Sequence, residues 1–250
     1  MKAMVFAAGL GTRLRPLTGD RPKALVTIAG RTLLEITLSR LCAFGVHEVV
    51  INVHHYADLI AEYLKANGNF GMRVALSREE TLLDTGGGLQ KAAAFLLPPG
   101  SNSHEPFLVH NVDVLSNIDL AAMVSFHVEH NALATLAVQQ RPTSRPLLFD
   151  EGGQLYGRGA APGTEPAPGN PAPPFQDLAF CGIHVLSPRI FSELHQEGAY
   201  SIVDTYVKLA ARGKPILAFR ADGSYWRDLG RPQNVAQAER DIADGKYAGI

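Results

Sequence analysis

The residues whose types most clearly indicate a chemical role lie within the first 25 positions of the sequence. Two glycines directly follow a short apolar run, and the cations Arg13, Arg15 and Lys23 come after them. Glycine lets backbone N–H groups approach phosphate oxygens closely, because it has no Cβ and adopts positive φ at little cost. Fixed cations beside such a loop neutralise phosphate charge. The segment therefore predicts a nucleoside triphosphate cradle. The residues expected to contact the nucleotide there are Ala8, Gly9, Gly11, Thr12, Arg13 and Lys23.

A glycine-rich loop after a strand can belong to several kinds of site. A P-loop requires Gly-x-x-x-x-Gly-Lys-Ser/Thr, but Leu14 stands where the second glycine of that motif would be. Leu14 also occupies the third glycine position of the dinucleotide pattern Gly-x-Gly-x-x-Gly. Two glycines alone are compatible with an ordinary turn. The neighbouring cations favour a phosphate site of a different kind.

Asp113 is the candidate metal ligand and catalytic carboxylate. It comes directly after the apolar run 107–110, in the segment His110-Asn111-Val112-Asp113. A carboxylate at the carboxyl end of a strand can hold Mg²⁺, a hard cation that takes oxygen ligands and retains several waters. An aspartate that only caps a turn is the alternative. Because the sequence also predicts a phosphate-binding loop, the role of Asp113 as a metal ligand is favoured.

A run of three glycines after Thr85 is the candidate nucleobase site. Such a run exposes backbone N–H and C=O groups to a flat ligand edge, and the apolar pattern after it predicts a helix over 88–97. Gly87 and Gly88 are the residues expected to contact the nucleotide. A glycine-rich helix entry is the alternative. Backbone contacts of this kind do not choose between a purine and a pyrimidine.

At these residues the chain resembles a known family. The run Gly9-x-Gly-Thr-Arg13-x-Arg-Pro-Leu-Thr, followed by Pro22-Lys23-x-Leu25, is similar to the signature of the sugar-1-phosphate nucleotidyltransferases. The resemblance implies a Rossmann-like fold, a magnesium requirement, and transfer of a nucleoside monophosphate to a sugar phosphate with release of pyrophosphate. It is closest to the short single-domain members of the N-acetylmuramate-1-phosphate uridylyltransferase and mannose-1-phosphate guanylyltransferase types.

The resemblance also implies roles for individual residues. Arg13 would hold the leaving phosphates, and Lys23 would stabilise charge on the α-phosphate. Asp228, in a Trp-x-Asp-x-Gly segment, would bind substrate and complete the metal site with Asp113. Gly182 would lie beneath the sugar. Asn111 is expected to bind substrate as well, although an asparagine there can equally satisfy strand-end backbone groups.

Two departures from the family pattern affect these expectations. Val112 stands where relatives usually carry glycine, which puts the local backbone in question because valine disfavours positive φ. The Glu-Lys-Pro segment that grips the sugar phosphate in relatives is absent from the matching place. Arg141, Arg158 and Lys208 are the candidate replacements.

The order of predicted elements indicates how these residues meet. Strands over 2–8, 48–53, 72–76 and 107–110 alternate with helices over 32–44, 58–66, 88–97 and 120–130. Strands over 178–186 and 216–220 and helices over 202–211 and 233–244 follow. This alternation predicts a parallel, doubly wound sheet with its site beyond the carboxyl ends of the strands. Together with the resemblance it gives an α/β, Rossmann-like fold, with a mixed, mostly parallel sheet flanked by helices.

The composition and net charge of the chain limit its domain organisation and its binding partners. The chain has 250 residues, 46% of them hydrophobic, and a formal net charge of −1. We expect one nucleotidyltransferase domain over 1–250, with an exposed proline-rich loop over 160–174. The charge predicts no nucleic-acid partner. The apolar run 3–8 is too short for a signal peptide or a membrane span, so we expect a cytoplasmic monomer or homodimer.

Several functions are compatible with these patterns. The first is transfer from UTP to a sugar 1-phosphate, with N-acetylmuramate 1-phosphate as the candidate sugar. Alternatives are a GTP-dependent guanylyltransferase for mannose or heptose 1-phosphate and a CTP-dependent cytidylyltransferase of the phosphocholine type. A non-catalytic nucleotide sensor is a further alternative. The joint presence of Lys23, Asp113 and Asp228 argues against the sensor, since a sensor does not need catalytic charges.

Overall fold

The computed structural model describes residues 1–97, 104–159 and 175–247. The predicted proline-rich loop over 160–174 lies outside these ranges. The strands are β1 (Lys2–Phe6), β2 (Thr27–Ile28), β3 (Arg31–Thr32), β4 (Glu48–Val53), β5 (Arg73–Arg78), β6 (Phe107–Asn111), β7 (Val114–Ser116), β8 (Ala134–Gln139), β9 (Leu147–Phe149), β10 (Leu155–Arg158), β11 (Gln176–Leu186), β12 (Ile216–Arg220) and β13 (Trp226–Asp228). The α-helices are α1 (Leu33–Ala43), α2 (Ala57–Ala66), α3 (Asp84–Lys91), α4 (Ala93–Leu96), α5 (Leu120–Glu129), α6 (Ile202–Ala211) and α7 (Pro232–Ala243).

A nine-stranded mixed sheet organises the fold. Its first half has the order β5-β4-β1-β6, and all four strands are parallel. The long strand β11 then pairs antiparallel with β6, β8 and β9, while β12 pairs parallel with β8. Two short strands, β7 and β13, form a separate antiparallel ribbon. The predicted α/β class with a mixed sheet is confirmed, although the antiparallel insertion of β11 was not part of the predicted strand alternation.

Helices cover both faces of the sheet, and the alternation along β1 shows how. Ala3 and Val5 belong to the core beneath α1, α2, α5 and α7, whereas Met4 and Phe6 belong to the core beneath α3, α4 and α6. Successive side chains of a strand point to opposite faces, so a strand buried on both faces needs a continuous apolar run. No helix within the described ranges combines the length and apolarity needed to cross a membrane.

The chain reverses its direction of travel across the sheet at β1. It first moves from β1 through β4 to β5, and it then returns to the other side of β1 to form β6. Adjacent loops at such a reversal leave in opposite directions and open a crevice at the carboxyl ends of the strands. The loops after β1 and β6 carry Gly9 and Asp113, so the topology brings the two strongest sequence candidates to one crevice.

Three parts of the fold differ from the sequence-based expectations. The helix predicted over 88–97 begins earlier, at Asp84, and divides at Ala92 into α3 and α4. Strands β8, β9 and β10 were not predicted. The last two fall in a proline-rich stretch whose composition indicated irregular structure, but their apolar residues Leu147, Phe149 and Leu155 are almost fully buried. β9 pairs with β11 and β10 pairs with β9, and this pairing stabilises both strands in spite of the flanking prolines.

Candidate active site

The glycine loop after β1 leads into a 3₁₀ turn over Thr12–Leu14. Gly11 has φ +65°, and an added Cβ would lie 3.0 Å from Thr18 Cγ2 and 3.2 Å from Lys23 Cβ. Only glycine combines that backbone conformation with that space. Gly9 is different, because an added Cβ there would meet nothing within 4 Å. Gly11 therefore folds the loop against Lys23, while Gly9 presents open backbone.

Lys23 and Asp113 form an ion pair across the crevice. Lys23 begins a 3₁₀ turn over Lys23–Leu25, and Asp113 lies in the turn between β6 and β7. Both side chains are largely buried, with 13% and 18% of their surfaces exposed. Val112, next to Asp113 in this turn, does not adopt a positive φ. The turn that carries Asp113 therefore forms without the conformation that valine disfavours.

Asp228, which lies in the last strand of the chain, is also close to Asp113. It ends β13 opposite Val114 of β7, and the Leu229 N–H donates to the Asp113 backbone carbonyl over 2.7 Å. A Cβ built on Gly230 would lie 2.8 Å from Asp228 Oδ1, 3.2 Å from Arg13 Nη2 and 3.6 Å from Asp113 Oδ2. Two carboxylates and one guanidinium, from residues spread over more than 200 positions of the sequence, thus lie together beside Gly230.

The two carboxylates have the chemistry of a magnesium site. Mg²⁺ prefers oxygen ligands and is usually bound by one or two carboxylates together with phosphate oxygens and water. Asp113 and Asp228 fit that pattern. Within the described ranges, no group of three or more histidine, cysteine or acidic residues could hold a metal. An ion here would therefore need oxygen atoms from a phosphate ligand as well.

A cavity of about 420 Å³ opens beside this point at the carboxyl edge of β1, β4 and β6. We refer to it as the nucleotide cavity. Ala8, Gly9, Lys23, Asn111 and Asp113 line it. Gly11, Thr12 and Arg13, which were expected to contact the nucleotide, do not line this cavity. The remaining lining residues are Phe6, Ala7, Asn52, Glu79, Leu82, Asp84, Thr85, Val112 and Ala199.

Asn52 and Glu79 form a buried polar network in the wall of the nucleotide cavity. Asn52 Oδ1 accepts from the Ala7 N–H at 2.8 Å, and Asn52 Nδ2 donates to Glu79 Oε1 at 2.7 Å. Glu79 Oε2 accepts from the Leu83 N–H at 3.0 Å. Asn52 therefore holds the start of the phosphate loop, and Glu79 links that loop to the entry of α3.

The glycine triplet contributes close packing in this structure. A Cβ on Gly86 would lie 2.1 Å from Tyr200 Cε2, and one on Gly87 would lie 2.4 Å from the Gly198 carbonyl oxygen. One on Gly88 would lie 2.8 Å from the amide and carboxylate of the buried network. All three are buried inside α3. Thr85, immediately before them, lines the nucleotide cavity, whereas Gly87 and Gly88 do not.

A second cavity, of about 430 Å³, lies on the other side of Asn111 and Asp113. We refer to it as the sugar cavity. Gly182 lies in its wall with φ +73°, at an irregularity in the pairing of β11 with β8. A Cβ on Gly182 would lie 2.7 Å from Asn111 Nδ2. Asp228 and Arg13 also line this cavity, while Asp113 and Asn111 line both cavities and stand where the two meet.

The sugar cavity is rich in arginine. Five arginines line it, and two aspartates are its only acidic lining residues among those described. The arginines are Arg13, Arg141, Arg145, Arg158 and Arg231. Lys208, a candidate phosphate anchor from the sequence, is not among the lining residues and approaches Gln196 instead. Arg158 lines the cavity but forms an ion pair with Asp204.

Sequence reasoning missed some of the polar residues around the two cavities. Glu79 comes just after β5 at the same edge as Asp113, so the rule that selected Asp113 also applies to it. Arg145 and Arg231 stand in loops without any pattern that marks them. Their presence at the cavity depends on contacts between remote parts of the chain.

Comparison with known proteins shows the family of the chain. A family model described as nucleotidyl transferase matches residues 2–245. The N-acetylmuramate alpha-1-phosphate uridylyltransferase of Caulobacter vibrioides is 33% identical, with 97% of each chain covered. The UTP–glucose-1-phosphate uridylyltransferase of a Synechocystis species and the mannose-1-phosphate guanylyltransferase catalytic subunit beta of Dictyostelium discoideum are each 28% identical. The chain spans 65% and 62% of those two relatives.

Solved structures show the same fold. A UDP-glucose pyrophosphorylase complexed with UDP-glucose aligns with TM-score 0.77 and 20% identity, covering 98% of each chain. HddC from Yersinia pseudotuberculosis, complexed with GMP-PN, aligns with TM-score 0.73 and 19% identity, covering 96% of this chain and 99% of that one. The family match extends over nearly the whole length, and the chain belongs to the nucleotidyl transferase family. Within it, the enzyme is a sugar-1-phosphate nucleotidyltransferase.

Proposed function

We propose that this enzyme transfers UMP from UTP to a sugar 1-phosphate, giving a UDP-sugar and pyrophosphate, and that it requires Mg²⁺. The observation that carries the proposal is the convergence of Asp113, Asp228 and Arg13 beside Gly230, each within 3.6 Å of the position that a Cβ on Gly230 would take. Lys23, paired with Asp113, lies beside them. Because Asp113 and Asn111 line both cavities, phosphates bound in the two cavities would meet next to this cluster of charges.

The proposed reaction follows from the charges at this junction. An oxygen of the sugar phosphate attacks the α-phosphorus of UTP, the bond between the α-phosphorus and its bridging oxygen breaks, and pyrophosphate leaves. The attacking phosphate is already ionised near neutral pH, so no general base is needed. Phosphoryl and nucleotidyl transfer then depend on positioning and charge neutralisation. Lys23 would stabilise the α-phosphate, and Arg13 would hold the leaving phosphates beside the Gly9 backbone.

Asp113 and Asp228 are the residues that would hold the magnesium ion. When bound there, the ion supplies positive charge to the phosphate oxygens of the nucleotide. The remaining wall of the nucleotide cavity would take the nucleoside, with Asn52 and Thr85 as its polar groups. The contribution of Gly87 and Gly88 to this site is proposed to be the close packing of α3, which places Thr85.

The preference for UTP rests on the relative that matches over its full length, which is named a uridylyltransferase for N-acetylmuramate alpha-1-phosphate. N-acetylmuramate 1-phosphate is therefore the first sugar to test. Guanylyl transfer to mannose 1-phosphate is the second candidate, because relatives with that name match over 94% or more of this chain. CTP is included in the assay to test the alternative of a cytidylyltransferase.

The experiment is a pyrophosphate-release assay with UTP, GTP and CTP against a panel of phosphorylated acceptors. We expect fast release with UTP and a sugar 1-phosphate. Lys23→Ala should lower kcat by at least about 100-fold, as removal of one group that stabilises transition-state charge commonly does. Lys65→Ala, an exposed lysine on α2, is the matched control. Turnover with choline phosphate alone, or a normal kcat in Lys23→Ala, would contradict the proposal.

A further inference from the structure

Arg141 differs from the other arginines of the sugar cavity in how firmly it is held. Its guanidinium lies over the Trp226 ring, with Cζ 3.6 Å from the ring centroid. Its Nη2 donates to the Phe180 carbonyl oxygen at 3.0 Å. Trp226 is fixed in turn, because its Nε1 donates to the Cys181 carbonyl oxygen at 2.8 Å. Stacking and hydrogen bonding together fix the guanidinium plane against β11.

Among the residues that the structure describes, this fixed cation forms no ion pair. Its Nε is buried without a hydrogen-bond partner. Burial lowers the pKa of the guanidinium. A partly buried arginine normally finds a carboxylate, because an uncompensated charge and an unmade hydrogen bond both cost free energy. The neighbouring Arg227 follows that rule and pairs with Asp241 at 2.6 Å.

The position of Arg141 indicates which anion pairs with its guanidinium. Trp226 and Asp228 lie two residues apart on β13 and therefore project to the same side of the ribbon, whereas Arg227 projects to the other side. Asp228 also acts on Arg141 electrostatically. Arg141, Asp113 and Asp228 all line the sugar cavity, so the guanidinium belongs to the same cavity as the two carboxylates.

We infer that Arg141 binds the phosphate of the sugar 1-phosphate and takes the place of the missing Glu-Lys-Pro anchor. The inference rests on the proposed function. A guanidinium offers several N–H donors in one plane and matches phosphate oxygens better than a lysine would. The stacked Trp226 keeps these donors in place before the substrate arrives, so that little side-chain entropy is lost on binding.

The test compares Arg141→Met and Arg141→Lys with wild type under saturating UTP. We expect KM for the sugar phosphate to rise about 10- to 100-fold in Arg141→Met, as loss of a charge-assisted hydrogen bond predicts. The KM for UTP should change far less. Guanidinium chloride at millimolar concentration should restore part of the activity of Arg141→Met, and Arg141→Lys should retain an intermediate KM. Titration calorimetry of the enzyme with the sugar phosphate, in the absence of UTP, should show the same loss of binding in Arg141→Met.

The control is Arg227→Gln, which removes an arginine of the same strand that is already neutralised by Asp241. It should lower the temperature of unfolding without a specific rise in KM for the sugar phosphate. Equal KM values in Arg141→Met and wild type would overturn the inference while leaving the proposed function intact. So would an effect confined to acidic sugars such as N-acetylmuramate 1-phosphate and absent with glucose 1-phosphate, because the bound group would then be the carboxylate. No release by wild-type enzyme with any sugar phosphate would overturn the proposed function itself.

Discussion

Gly182 offers a direct test of the contact between the sugar cavity and β6. Alanine at this position would meet two separate penalties. Its φ of +73° costs roughly 1–2 kcal/mol for a residue with a Cβ. The new Cβ would also lie 2.7 Å from Asn111 Nδ2 and 3.0 Å from Val114 Cγ2. Crowding of this kind typically adds roughly 1–3 kcal/mol. We expect Gly182→Ala to lower the free energy of unfolding by about 2–5 kcal/mol.

The chain contains a matched control for the backbone penalty alone. Gly213 has φ +74°, and an added Cβ there would meet nothing within 4 Å. Gly213→Ala should therefore cost about 1–2 kcal/mol and leave the kinetics unchanged. Urea unfolding of the two variants at one pH gives the difference, which is the cost of displacing Asn111 and Val114.

The kinetic consequence of Gly182→Ala comes from Asn111. The added methyl group must push the Asn111 amide away from the floor of the sugar cavity, and small displacements of positioning groups can cost 10-fold or more in rate. We expect KM for the sugar phosphate to rise about 10-fold, more than KM for UTP. If Gly182→Ala matched Gly213→Ala in both stability and KM, the close approach of β11 to Asn111 would not exist as described.

Two further predictions concern buried polar groups. Asn52→Ala should lower the free energy of unfolding by about 2–3 kcal/mol, because it leaves the buried Glu79 Oε1 and the Ala7 N–H without their partner. Urea unfolding would measure it, and a loss below about 0.5 kcal/mol would contradict the network. Lowering the pH from 7 to 5 should destabilise the fold through His110 and His184. Burial lowers the pKa of both imidazoles to about 3, so the unfolded chain binds protons in this range and the folded chain does not. Each histidine should cost about 2 kcal/mol at pH 5, and a free energy of unfolding that is constant from pH 7 to 5 would contradict this.

Each of these two predictions has its own control. Asn67→Ala removes an exposed asparagine at the end of α2, whose amide donates to the Tyr63 carbonyl oxygen, and it should cost much less than Asn52→Ala. For the pH dependence, His184→Gln should reduce the difference between pH 7 and pH 5. Replacement of the exposed His130 by glutamine should leave that difference unchanged.

The first half of the fold is predictable from the sequence because its signals are local. Apolar runs such as 48–53 alternate with amphipathic segments such as 57–66, and each ends at a recognisable stop such as Gly45. The class of enzyme is also predictable, since the run from Gly9 to Lys23 carries in one continuous segment the pattern that resembles the family signature. The family match confirms both the resemblance and the class.

The remaining features depend on contacts between residues that are remote in sequence. The glycine triplet is short of space because Tyr200 and Gly198 pack against it, more than 100 positions later. β9 is a strand because β11 pairs with it in spite of the prolines nearby. Arg141 acquires its special position only through Trp226. No periodicity or spacing around these residues contains that information.

The central claim is that Asp113 and Asp228 act as one unit at the junction of the two cavities. Its most direct measurement is kcat for UTP-dependent pyrophosphate release, at saturating Mg²⁺, in Asp113→Asn, Asp228→Asn and the double variant, with Asp244→Asn as the control. We expect each single variant to lose at least about 100-fold, and the double variant to be little slower than the slower single one, because residues of one unit are not additive. Losses that multiply in the double variant, or a normal kcat in either single variant, would contradict the claim.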